Sequence, residues 1–126
     1  MASDWPAVPG VVFRGYAPDL IDVYSIDSAL VSPGVLRGGL KTKVLEAFAF
    51  GCAVIGNGIT FEGLYLEGYP LQLEKPEEFE DVLKSPALHL QEMSVAAALG
   101  QEYLRKSVSR EQFQENWRVA LGGQLF

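Results

Sequence analysis

Lys41, Thr42 and Lys43 stand where two glycines, Gly38 and Gly39, run through Leu40 into an apolar-striped segment, and Glu46 follows shortly after. These residue types at this spacing suit a phosphorylated ligand. The first turn of a helix has amide N–H groups without intrahelical partners and carries the positive end of the helix dipole, so an anion is stabilised there. The two lysines add charge at the same place. Glu46 shares a helical face with Thr42 and Lys43, so its carboxylate is set to accept hydrogen bonds from hydroxyls of a ligand whose phosphates sit at the helix tip. A nucleotide offers both groups. The same residues also have a plain reading, in which Lys43 and Glu46 form a solvent-exposed i, i+3 pair worth roughly a few tenths of a kcal/mol. Gly38 and Gly39 are either a flexible loop or the means by which backbone approaches a ligand closely.

The elements that must position these residues alternate between strand and helix. Val44, Leu45, Phe48 and Ala49 form the inner stripe of a helix over 41–50, which Gly51 ends before a buried strand over 52–56. Upstream, the β-branched run 11–15 and the segment 28–32 read as strands, with a short helix over 19–25 between them whose inner face is Leu20, Val23 and Tyr24. The glycines at 56, 58, 63 and 68 make 57–69 loop-rich, and 70–73 is a weaker strand. Helices follow over 77–84, behind Pro76, and over 86–106, where Ser85 is the N-cap and Pro86 the first helical residue. A capping box, Ser109 to Gln112, opens a last helix over 110–121 with Phe113, Trp117, Ala120 and Leu121 on one face. Alternation of this kind indicates an α/β sandwich with a mostly parallel sheet of about four strands.

The 126 residues make one domain of ordinary globular composition, 48% hydrophobic and 21% charged. A net charge of −6 without a basic run argues against a nucleic-acid partner, because phosphate backbones are bound by clustered Lys and Arg. A single cysteine, Cys52, excludes an internal disulfide and a Cys-based zinc site and reads as core. No apolar run approaches the ~18 residues of a membrane span, and Met1 to Pro6 lacks the pattern of a secretory leader. The expected setting is cytoplasmic, with no metal and no cofactor. His89 has no carboxylate or cysteine at ligand spacing and reads as a surface or packing residue, and Asp19, Asp22 and Asp27 read as solvated carboxylates. A receiver-type signalling domain has this length and alternation. It needs acidic residues after its first strand and at the end of its third, where Gly15-Tyr16 and Gly56-Asn57 stand.

The helix Lys41-Thr42-Lys43-Val44-Leu45-Glu46-Ala47 running into Gly51-Cys52-Ala53-Val54-Ile55 resembles the donor-binding half of the retaining, nucleotide-sugar-dependent glycosyltransferases built from two Rossmann-like domains, the group-one GT-B enzymes. The resemblance extends over about 11–121. It takes in the run Val11 to Gly15, the Asp19 to Tyr24 helix, Ala29 to Pro33 and Phe61-Glu62-Gly63-Leu64, of which the Lys-x-Lys-x-x-Glu-Ala helix is the specific part. It implies a Rossmann-like three-layer sandwich, truncated relative to a full donor domain, and a partner that is a nucleotide sugar or nucleoside diphosphate. It further implies that the diphosphate lies on Gly39, Leu40, Lys41, Thr42 and Lys43, the ribose on Glu46 and the base by Gly15, Tyr16 and Ala17.

Many members carry a second glutamate separated by seven residues from the ribose-binding one, at the position where this chain has Gly38, so carboxylate recognition of the sugar is lost here while nucleotide binding survives the departure better than sugar identity. The basic pair that neutralises the leaving diphosphate, and the acceptor domain, belong upstream of the strand matching Val11. The resemblance therefore implies binding without turnover by these residues alone, in the service of transfer to a glycan or lipid-linked acceptor, as in polysaccharide biosynthesis. A binding or assembly module that keeps the scaffold without catalysis is the competing reading. In the parent strand order the runs 11–15 and 29–32 are separated by two strands that this chain lacks, which leaves the apolar edge of Ala29-Leu30-Val31 open. Either the Val11 strand pairs directly with 29–32, or the edge is covered by a second copy in a two-fold homodimer or by an N-terminal domain. A Val11 strand outside the sheet would count against both the direct pairing and the homodimer.

Overall fold

The computed structural model describes residues 7–25, 27–35 and 41–107. Within them the chain is mixed α/β: β1 (Ala29–Ser32), α1 (Thr42–Ala49), β2 (Ala53–Gly56), α2 (Pro76–Lys84) and α3 (Leu90–Ser107). The expected last helix over 110–121 lies outside the described residues.

β1 and β2 pair in parallel, Ala29 opposite Ala53 through Ser32 opposite Gly56, which is the connection that an intervening helix allows. Every residue of β2 is buried, so both faces of this strand are covered, as the unbroken apolar run Ala53-Val54-Ile55 requires. α1 buries Val44, Ala47 and Phe48. It ends in a Schellman motif: Gly51, at φ +74°, donates to the Phe48 carbonyl and Cys52 donates to the Ala47 carbonyl at 2.9 Å. Only glycine adopts that φ without strain. α3 closes over the end of α1 so tightly that a Cβ on Gly100 would stand 2.2 Å from the Phe48 ring, and Gln101 Nε2 donates to the Phe48 carbonyl at 3.1 Å.

The expected strand over 70–73 reduces to one parallel bridge, Gly56 with Gln72. The physical reason is Tyr69, whose buried hydroxyl occupies the next position on the edge of β2. It accepts from Val54 N–H at 3.0 Å and donates to the Val54 carbonyl at 2.6 Å, the work of a neighbouring strand. Desolvation raises this phenol far above its ordinary range, so it stays a donor. Among the described residues the sheet is therefore two strands and a bridge, short of the expected four or so.

The segment Val11–Gly15 is not a strand and enters no ladder among the described residues. Val11 N–H closes a turn on the Val8 carbonyl at 3.0 Å, Gly15 takes φ +71°, and Val11, Val12 and Phe13 are exposed. β-Branched residues favour a strand only where a partner edge and a face to bury exist. The direct pairing of this run with β1 is thereby overturned, and among the described residues β1 pairs with β2 alone. The short helix expected over 19–25 contracts to a single 3₁₀ turn, Leu20–Asp22, capped by Asp19 Oδ1 accepting from Ile21 N–H at 3.2 Å. Of its expected inner face only Tyr24 is buried, stacked on Phe50 at 5.9 Å. The helix expected over 86–106 is a 3₁₀ turn, Pro86–His89, continued by α3, and Ser85 makes no side-chain cap. α2 begins at Pro76, and Glu78 accepts from Lys75 N–H at 2.9 Å to finish its first turn. No described helix is long and apolar enough to cross a membrane.

Candidate functional site

A cavity of about 340 Å³ lies where the C-terminal end of β1 meets the start of α1, lined by Ser32, Gly34, Lys41, Thr42, Lys43, Val44, Ile59 and Thr60. In open parallel α/β sheets this is the end where ligands bind, because the strand ends and helix starts both converge there. Among the described residues α1 has no side-chain cap, and its first turn holds no acidic residue. The amides at its tip thus keep their attraction for an anion.

The wall opposite α1 is a polar clamp between the loops that follow β1 and β2. Asn57 Oδ1 accepts from Gly34 N–H at 3.1 Å and from Thr60 N–H at 3.0 Å, while Asn57 Nδ2 donates to the Gly34 carbonyl at 2.9 Å. Thr60, only 5% exposed, accepts from Gly34 N–H and Asn57 N–H at 3.1 Å each, and its hydroxyl donates to the Ser32 carbonyl. Gly34 has room for no side chain, since a Cβ there would stand 2.7 Å from Ile59 Cγ2. Each buried polar atom of the clamp is thereby satisfied, which makes the rim rigid.

Of the residues read as phosphate-binding, Lys41, Thr42 and Lys43 all line this cavity. Lys41 is half-buried and its ammonium donates to the Ile59 carbonyl at 2.7 Å, tying α1 to the second loop. Lys43 is exposed and forms no salt bridge with a described residue, so the i, i+3 pair with Glu46 is not made. Gly39 and Leu40, with Gly38, lie outside the described residues. Glu46 is half-buried and does not line the cavity; its charge acts on Tyr24, whose phenol is raised by burial first and by Glu46 second. Gly15, Tyr16 and Ala17 do not line the cavity either, and the Tyr16 side chain projects into solvent at 90% exposure.

Asn57, Ile59 and Thr60 were not singled out from the sequence. The signal that could have found them is Asn-Gly-x-Thr directly after a buried strand, in which the Asn and Thr side chains bond neighbouring backbone and fix a turn. Cys52 is buried, with Sγ 3.2 Å from the Ser28 carbonyl, and burial pushes its thiol up, the character of a packing residue and not of a nucleophile. No family model matches the chain, and no curated protein or solved structure matches it.

Proposed function

We propose that the cavity at the start of α1 holds the diphosphate of a nucleotide sugar, in the manner of the donor-binding half of a GT-B glycosyltransferase. The observation that carries the reading is that Lys41, Thr42 and Lys43 line one cavity with an uncapped helix start at the C-terminal end of a parallel strand. The phosphates would take the first-turn amides as their closest donors, with Lys43 as a mobile point charge and Lys41 as a second charge already anchored on the Ile59 carbonyl. With this goes the finer fold reading, in which β1 and β2 are core strands of a Rossmann-like layer. No catalytic step is assigned to these residues. Stabilising a departing diphosphate is the contribution they are suited to make, in company with whatever presents the acceptor.

One observation favours a non-catalytic module that keeps the scaffold: Glu46 and Gly15-Tyr16-Ala17, the expected ribose and base contacts, stand apart from the cavity lining. A thermal-shift panel of UDP-, GDP-, ADP- and TDP-sugars separates the two readings, because a ligand that binds only the native state raises its melting temperature. A rise with one base and not the others supports donor binding. A flat panel leaves the scaffold without its ligand and favours the module.

A further inference from the structure

His89 closes the 3₁₀ turn Pro86–His89 between α2 and α3, and carboxylates reach both of its ring nitrogens. Nδ1 lies 3.0 Å from Glu92 Oε2 on α3, and Nε2 lies 3.4 Å from Asp81 Oδ2 on α2. The imidazole is mostly covered, with 16% of its side chain exposed. A neutral imidazole has one N–H and one lone pair, so it satisfies one carboxylate and turns its lone pair on the other. The imidazolium presents an N–H to each, a hydrogen bond to Glu92 and an ion-pair contact to Asp81. We propose that protonated His89 is a pH-dependent clasp between α2 and α3, holding Asp81 and Glu92 at once.

The groups facing the ring agree in sign. From α2 it meets Asp81, while the neighbouring Lys84 is held by Glu80 at 2.6 Å; from α3 it meets Glu92; and its own turn contributes no other charge. Its hydrogen bond to Glu92 comes first among the causes that raise its pKa above the ordinary value, with the Asp81 and Glu92 charges adding to it against a desolvation cost. Because the folded value is raised, the clasp contributes fully below the unfolded value of about 6.5 and is lost as pH rises through the higher folded value. The contact spans two helices, so its loss bears on the α2–α3 corner and not only on one side chain. The inference is independent of what the cavity at α1 binds.

His89 is the only histidine in the sequence, so ring resonances in an NMR titration of the whole chain report it without assignment. The expected result is a midpoint above 6.5 that falls in Asp81→Asn and falls again in Glu92→Gln. In parallel, the melting temperature of the parent chain should drop between pH 6 and pH 8 by more than that of His89→Gln. A parent midpoint at or below 6.5, or one moved by Glu92→Gln and not by Asp81→Asn, would overturn the clasp, the second result leaving only a local i, i+3 contact on one side. Should His89→Gln fail to fold, the two carboxylate variants carry the same melting comparison.

Discussion

At the C-terminal ends of β1 and β2 a cavity of about 340 Å³ is ringed by two lysines, an uncapped helix start and a fully bonded polar clamp. At their N-terminal ends a larger groove, about 610 Å³, runs from Asp27, Ser28 and Ala29 to the Leu90, Met93 and Ala97 side of α3 and has no lysine or arginine among the described residues of its lining. The larger space is mostly apolar and is shaped by helix packing, whereas the smaller one is shaped by hydrogen bonds with defined directions. Size therefore does not mark the site. What marks the candidate site is that Asn57, Thr60 and the tight Gly34 hold one rim still next to Lys41 and the exposed Lys43.

The strongest test of that contrast removes the clamp. Thr60→Val keeps the shape and deletes a hydroxyl that serves Ser32, Gly34 and Asn57, leaving buried partners unsatisfied. The expected cost is about 2–3 kcal/mol in a denaturant melt, with diphosphate binding lost in step. A variant of parent stability would show that the rim is not held as described. Next in size, Gly100→Ala drives a Cβ into Phe48 at the α1–α3 contact and should cost about 1–3 kcal/mol. Because Phe48 lies near the end of α1 away from the cavity, binding measured well below the melting temperature should persist. Tyr69→Phe strips Val54 of both its edge partners and should cost about 1–2 kcal/mol, again without altering the cavity. Smallest of all, Ala97→Leu projects into the larger groove and should change stability by no more than about 0.5–1 kcal/mol while leaving ligand binding untouched. Loss of diphosphate binding in that variant would move the site to the other end of the sheet.

Much of the scaffold was legible because it is local. α1 announces itself through its apolar stripe and the stop at Gly51, α2 through Pro76 and Glu78, and β2 through a short apolar run between glycines. The misreadings share a different cause. Val11 to Gly15 has the composition of a strand but joins no ladder among the described residues, and composition alone does not settle strand formation. The run 70–73 looked like a fourth strand because nothing local reveals that the Tyr69 side chain returns to Val54, 15 residues upstream in the chain. At the site, Lys41 to Lys43 were readable from glycines preceding a helix. The facing wall was not, since Asn57 and Thr60 act through bonds to Gly34 and Ser32 made only once β1 and β2 are paired. Glu46 shows the limit of helical spacing as a guide: it shares a face with Thr42 in register, yet it stands one turn further along α1 and does not line the cavity.

Calorimetric titration of the chain and of Lys43→Ala with the nucleotide sugar that scores in the thermal-shift panel tests the central claim most directly. Lys43 is exposed and makes no salt bridge with a described residue, so its removal should leave the melting temperature unchanged. Affinity should fall on the order of tenfold, the size of one lost charge-assisted contact, and the loss should shrink as salt is raised. Equal affinity of the two proteins across the salt series would contradict a phosphate site at the start of α1.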